Sequence, residues 1–405
     1  MLDVLRSLKR MLQYFIRLLS KWITMKFKVH DNRIIFGAWF GKKYDDNSKV
    51  LYEYVVNNRP DIDAYWITPT YRIVNELKSQ HLPVCWSFSI KGLYICMTAK
   101  YSVTSTSPGD IGLGWFSPLL LKATYVNLWH GVPLKKIMYD VQPHNTSSIS
   151  ETSKGNSYWL TKLRDFSRKN QNEVYNVSTS EAISKIYESA FRCNSNHILN
   201  LGQARNDYFY IEHCNSIRET YSGKRIIVYM PTHRNTGQKL MNMKVLLNLS
   251  KIDEICKKYN AVFLIKKHFY HNKEQIIDNS EYSNIKELSH MNIKSQELID
   301  SADILITDYS SAYIDYLLLE RPIIFYAYDL QEYLKTDRDL YLDYNQDNIP
   351  GRICTNKKDL EDELTNLLMG RDNYKSLRTK MRDYYYSKEN QSIVSPKQID
   401  AILKL

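Results

Sequence analysis

The chain lacks most of the short signatures that announce a chemistry. There is no Gly-x-x-x-x-Gly-Lys-Ser/Thr among its 405 residues, so it is not a P-loop ATPase. Gly-x-Gly-x-x-Gly is also missing. Gly112 and Gly114 give only a partial match, with Pro118 following, which argues against a nicotinamide cofactor. Without Gly-x-Ser-x-Gly there is no hydrolase nucleophile elbow. The six cysteines (Cys85, Cys96, Cys193, Cys214, Cys256, Cys354) form no CxxC pair. Their spacing supports neither a zinc site nor a disulfide framework and predicts reduced thiols in a cytoplasm. Asp61-Ile62-Asp63 has the spacing of a metal-binding carboxylate pair but precedes a strand instead of following one, so it reads as a turn. Neither a metal nor a cofactor is expected. Glycine (13) and proline (11) are sparse beside 32 tyrosines, with no low-complexity stretch or short repeat.

What is present is a large, aromatic-rich globular chain. Hydrophobic residues make up 43%, enough for a sizeable core, and the length suits two domains or one large one. Lys and Arg exceed Asp and Glu, 55 against 44, for a net charge of +11. Such a surplus points to an anionic partner: nucleic acid, a membrane surface or a phosphorylated substrate. The basic residues are spread along the chain or gathered in the first helix, which disfavours a nucleic-acid face.

Residues 1–29 place Leu5, Leu8, Met11, Leu12, Phe15, Leu18, Leu19 and Trp22 at helical spacing, with Arg6, Lys9, Arg10, Gln13, Arg17 and Lys21 largely opposite. This is a basic amphipathic helix. Charges interrupt it too often for a membrane span, and no cleavable signal core is present. Two readings fit: a helix lying in the plane of an anionic membrane, or an apolar face packed on the protein itself or on a partner subunit. The overall positive charge tilts the choice toward the membrane.

From Arg33 the pattern alternates strands and helices. Strands are expected at Arg33–Trp39, Ala64–Thr68, Tyr101–Ser105, Thr124–Trp129, Arg225–Met230, Val262–Ile265, Ile304–Thr307 and Ile323–Tyr326. Helices are expected at Ser48–Asn57, Tyr71–Ser79, Val245–Lys258, Gln296–Ser301 and Ser310–Leu319. Alternation of this kind predicts parallel α/β sheets. Two Rossmann-like domains facing a central cleft are expected, over residues 30–205 and 224–375. Residues 206–223 would link them, and residues 376–405 would form a helical tail.

In such sheets ligands bind beyond the carboxyl ends of the strands. Four predicted strand ends carry His, Arg, Lys, Ser and Thr and almost no carboxylate: His130-Gly131-Val132-Pro133-Leu134-Lys135-Lys136, Pro231-Thr232-His233-Arg234, Lys266-Lys267-His268 and Asp308-Tyr309-Ser310-Ser311. That inventory suits phosphate. Each loop alone reads as a solvated turn; that reading has to hold four times. The two hydroxyls of Ser310 and Ser311 at a helix start suit either capping or an anion. The unperturbed pKa of an imidazole such as that of His130 suits proton transfer at neutral pH.

Taken together, Trp129-His130-Gly131-Val132-Pro133-Leu134-Lys135, Pro231-Thr232-His233-Arg234 and Ile306-Thr307-Asp308-Tyr309-Ser310-Ser311 resemble the CDP-glycerol:glycerophosphotransferase family of teichoic acid and capsule polymer synthesis. Gly41-Lys42 with Asp46-Asn47, Ser178-Thr179-Ser180-Glu181, Gly202-Gln203-Ala204-Arg205-Asn206-Asp207, and Arg338–Tyr344 with Pro350-Gly351 extend the resemblance over roughly residues 33–355. Val132, Ala204, His233 and Lys267 depart from the family's pattern without removing a charged or catalytic group. The resemblance implies a GT-B fold with an acceptor domain first and a CDP-polyol donor domain second. It implies transfer of glycerol phosphate from CDP-glycerol, or ribitol phosphate from CDP-ribitol, to a hydroxyl of a lipid-linked glycan or polyol-phosphate acceptor, releasing CMP. It implies His130 and His268 as catalytic residues. Arg234, Thr232, Lys266, Thr307, Asp308, Ser310, Ser311, Arg205, Arg338, Pro350 and Gly351 would bind the donor, and Gly41, Asn47, Gly131 and Lys135 would face the acceptor. The expected location is the cytoplasmic face of the membrane, peripherally bound through an anionic surface, with no nucleic-acid partner. A GT-B glycosyltransferase using a sugar nucleotide would share the fold and the phosphate loops.

Overall fold

The computed structural model describes residues 2–141, 174–232, 243–266, 280–289, 291, 293–336 and 339–405, with side chains from residue 11 onward except those of Met243 and Thr336. His268, Arg234 and Arg338 lie outside the described residues, as do His233 and Lys267.

Long runs of β-branched and aromatic residues give strands buried on both faces. Ile34, Ile35 and Phe36 are fully buried, as are Ile226 to Tyr229 and Phe263 to Ile265. Such strands belong in the middle of parallel sheets covered by helices. Two sheets form. The first has the order β3-β2-β1-β4-β5-β6-β7: Val84–Trp86, Asp63–Thr68, His30–Gly37, Ala99–Thr104, Thr124–Asn127, Val174–Ser178 and Ile198–Asn200. The second has the order β10-β9-β8-β11-β12-β13: Ile285–Glu287, Ala261–Ile265, Arg225–Met230, Ile304–Thr307, Ile323–Tyr326 and Arg352–Cys354. All their pairings are parallel. In each sheet the strand order reverses at its middle, between β1 and β4 and between β8 and β11, which is where open α/β sheets leave a crevice.

The helix Tyr71–Ser79 and the strands β8, β11 and β12 fall where the apolar pattern places them. Two helices differ. The stretch expected as Val245–Lys258 breaks into Met243–Leu246 and Leu249–Lys258, because Leu247 and Leu249 both turn into the core around Asn248. The helix expected from Ser310 starts at Ala312, and its last turn, Leu317–Leu319, tightens to 3₁₀. There Ser310 Oγ accepts the Ala312 N–H at 3.3 Å, so the serine lies ahead of the helix and closes its first turn.

One core joins the two sheets. Trp129, Val132 and Leu134 of the first half pack in a single buried cluster with Tyr309, Tyr313 and Phe325 of the second. The C-terminal helices return to the first half. Ile399 and Ile402 enter its core beside Leu51 and Val55, and Arg59 pairs with Asp400 at 2.8 Å. Residues 206–223 begin in the interior: Asn206 and Asp207 are buried, and Asp207 accepts the Val394 and Ser395 N–H groups at 2.7 and 3.0 Å. Asp61 and Asp63 pair with Arg59 and Arg33 at 2.8 and 2.7 Å.

The first helix, Leu2–Met25, attaches through Ile23, which packs on the core of the first half, and through its small polar residues. Ser20 and Thr24 are buried, and Lys122 Nζ donates to the Phe27 carbonyl at 2.6 Å. Its apolar side faces outward: Met11, Leu12, Phe15, Leu18, Leu19, Trp22 and Met25 are all exposed. No described helix is long and apolar enough to cross a membrane.

Candidate active site

The carboxyl ends of both sheets face a cleft of about 1170 Å³. His130, Gly131 and Lys135 line it from the first half, and Thr232, Lys266, Ser310 and Ser311 from the second. Its cations include Lys42, Lys49, Arg72 and Lys135 on one wall and Lys266 and Lys294 on the other; its only carboxylate residues among the described lining are Asp45 and Glu76. That imbalance makes it a cleft for an anion.

His130 is aimed by a strained turn. Trp129 adopts φ 56 and Gly131 φ 138. A left-handed tryptophan costs on the order of 1–2 kcal/mol, and such strain persists where surrounding contacts over-determine it. Here they do. The Trp129 N–H donates to Asn127 Oδ1 at 3.1 Å, Asn47 Nδ2 donates to the Trp129 carbonyl at 2.8 Å, and Arg205 Nη1 donates to the His130 carbonyl at 2.8 Å. A Cβ on residue 131 would lie 2.9 Å from Arg205 Nη2, so glycine is required both by its φ and by the passing guanidinium. The imidazole rests against Trp39 and Trp129 at ring distances of 5.4 and 4.3 Å. Burial, and then the charge of Arg205, push its pKa down to about 4 against the opposing pull of the Ser105 backbone and Asp110. The ring is therefore neutral at physiological pH and able to accept a proton.

Arg205, expected at the donor phosphates, is instead spent inside the protein. Its guanidinium meets Asp315 at 2.6 Å and Asp46 at 3.3 Å, and Asp315 also accepts from Asn206, Gln296 and Tyr386. Asp315 lies in the helix that follows Ser311, so this network ties the His130 turn to the opposite wall. Asn47, expected to face the acceptor, is fully buried and braces the same turn, accepting the Arg205 N–H at 3.0 Å. Gly41 is likewise interior. Its carbonyl accepts from Thr68 and Thr70 at 2.6 and 2.9 Å while the residues after it, from Lys42 on, line the cleft.

On the second wall, Thr307 and Asp308 form the frame instead of the surface. Thr307 Oγ1 donates to the Met230 carbonyl at 2.8 Å. The buried Asp308 carboxylate accepts the Thr232 N–H at 2.8 Å, the Tyr309 N–H at 2.7 Å and the Thr232 hydroxyl. It thus locks the loops after β8 and β11 together at the crevice. Ser311 makes no capping bond with its side chain. Lys266 lines the cleft with its Nζ donating to the Met291 carbonyl at 2.7 Å. Pro350 and Gly351 do not reach the cleft: Gly351 lies against the Ile323 carbonyl under the sheet edge. Lys49, Arg72 and Lys294 line the site without having been singled out from the sequence, since no motif carries them; Lys42 and Tyr309, quoted within motifs but given no role there, line it too.

Comparisons with known proteins give the family and match the fold. A Staphylococcus aureus teichoic acid glycerol-phosphate transferase is 29% identical over 384 residues, covering 89% of this chain and 90% of the relative. A Staphylococcus epidermidis teichoic acid poly(glycerol phosphate) polymerase is 28% identical over 384 residues, and the match spans 49% of its length. The structure of the wall teichoic acid polymerase TagF superimposes with a TM-score of 0.72 at 26% identity, covering 99% of this chain and 96% of that one. A variant of that polymerase soaked with CDPG matches with the same TM-score of 0.72. The pattern of one protein family matches residues 19–397. The chain belongs to the CDP-glycerol:poly(glycerophosphate) glycerophosphotransferase family.

Proposed function

We propose that this protein transfers glycerol phosphate from CDP-glycerol to a hydroxyl of a lipid-linked acceptor, with His130 as the general base. The observation that carries the reading is a neutral, rigidly aimed imidazole opening into a cleft walled by cations and hydroxyls. The acceptor oxygen attacks the phosphorus that bears glycerol, His130 takes the hydroxyl proton, and the bond to the CMP phosphate oxygen breaks with its electron pair. Negative charge spreads over phosphate oxygens, so fixed donors supply the stabilisation. Thr232, Lys266, Ser310 and Ser311, which line the second wall, would supply them to the donor, and Lys135 lines the other wall. His268, Arg234 and Arg338, outside the described residues, belong to the same proposal through the family resemblance.

The exposed apolar side of the helix Leu2–Met25 supports peripheral binding to an anionic membrane, where a lipid-linked acceptor would be met. In this reading the protein works at the cytoplasmic face of the membrane. A Staphylococcus aureus teichoic acid ribitol-phosphate polymerase is 26% identical over 269 residues, so CDP-ribitol is the second donor to test. Replacing His130 by alanine tests the base: CMP release with acceptor present should fall by about 10²–10⁴-fold while CDP-glycerol still binds. Near-normal release from that variant contradicts the assignment.

A further inference from the structure

The cleft carries cations that the transfer step proposed above does not use: Lys42, Lys49 and Arg72 from one half and Lys294 from the other. Its carboxylates are partly engaged. Glu76 is held by Arg72 at 3.4 Å, and Glu53, 3.7 Å from Lys49 Nζ, also accepts the Tyr44 hydroxyl at 2.9 Å. Lys49 is enclosed, with 13% of its side chain exposed and its ammonium 4.8 Å from the centre of the Tyr44 ring. Lys294 lines the same cleft from the opposite wall. Ammonium groups gathered in one cleft repel, and the repulsion eases when an anion bridges them. Burial, then Lys294, press the Lys49 pKa below its ordinary value against the pull of Glu53 and Asp45.

We propose that Lys49 and Lys294, with Lys42 and Arg72 at the rim, form a second anion subsite that takes a phosphodiester of the acceptor. This rests on the transferase reading and deepens it: the enzyme would recognise a growing chain by a phosphate behind the attacking hydroxyl. Because the two lysines stand on opposite walls, a bridging phosphate also draws the walls together over the reacting groups.

The test uses the full-length protein and its Lys49→Met and Lys294→Met variants. Calorimetric titration with a short soluble glycerol phosphate oligomer, without nucleotide, should show binding that each substitution weakens about tenfold or more, the worth of one charge-assisted contact of about 1.4 kcal/mol. Affinity for CDP-glycerol should stay the same, and in turnover the rise in KM should fall on the acceptor. Oligomer binding indifferent to both lysines overturns the proposal. So does a loss confined to CDP-glycerol, which would make these lysines part of the donor site. Thermal melting separates a structural role: removing one of the cations gathered in the cleft should leave the Tm unchanged or raise it. A fall in Tm with intact oligomer affinity would reduce Lys49 to a partner of Glu53. If the wild type binds the oligomer through these lysines yet consumes no CDP-glycerol, the subsite stands and the transferase reading fails.

Discussion

Replacing Arg205 by methionine should damage stability and catalysis together. Its guanidinium meets Asp315 at 2.6 Å and Asp46 at 3.3 Å, and donates to the His130 carbonyl at 2.8 Å. Both carboxylates have side chains less than 10% exposed, at 3% and 6%. Methionine fills much of the same volume but leaves two carboxylates without their cation. Breaking a buried pair in this way costs about 3–5 kcal/mol, because the orphaned charge has lost its water. Asn206, Gln296 and Tyr386 still donate to Asp315, which sets the lower end of that range as the expectation. With a denaturant slope of about 3 kcal/mol per molar, the urea midpoint should fall by about 1 M. The His130 turn then loses one of the bonds that hold it, and a misplaced base loses rate even with substrate bound. The expected kinetic signature is a fall in kcat larger than any rise in KM for CDP-glycerol, partly restored by Arg205→Lys. A variant with an unchanged urea midpoint and unchanged kcat would refute the clamp.

Four further outcomes follow from the same structure. With the His130 pKa near 4, its base form persists as pH falls through 6.5, so kcat/KM of the free enzyme should hold level from pH 8 to 6 and decline only toward pH 4; an acid limb at 6.5 would show an unperturbed imidazole. Asp308→Ala strips the common acceptor from the Thr232 and Tyr309 N–H groups, and should cost about 2–3 kcal/mol and raise the KM for CDP-glycerol more than that for the acceptor. Ser311→Ala should weaken donor binding more than Ser310→Ala, since Ser310 Oγ already accepts the Ala312 N–H; the reverse order would reassign the contact. Exchanging Phe15, Leu18 and Trp22 for serine should release the protein from anionic liposomes while turnover of a soluble acceptor continues; retained binding would move the membrane contact elsewhere.

The framework was legible wherever one physical signal dominated. Ile304–Thr307 and Ile323–Tyr326 are short apolar runs closed by polar turns, and both are strands with those bounds. His130, Thr232 and Ser311 could be picked out because each follows such a run, and the structure brings all three to one cleft. The residues that hold them were not legible as holders. Arg205 reads as a donor-binding cation until Asp315, 110 positions away, is seen to meet it. Asn47 and Asp308 look like ligand contacts in sequence because buried braces and exposed binders draw on the same polar side chains. Lys49 and Lys294 carry no motif; only the packing of the two halves brings them to one cleft.

The most direct measurement is nucleotide release by the purified protein given a glycerol-phosphate-primed lipid acceptor and, in separate reactions, CDP-glycerol, CDP-ribitol and a UDP-sugar. The account predicts acceptor-dependent CMP from CDP-glycerol, with the acceptor's mass rising by one or more glycerol phosphate units and both changes lost in His130→Ala. UDP release from the sugar nucleotide with no CMP from either CDP-polyol would contradict it.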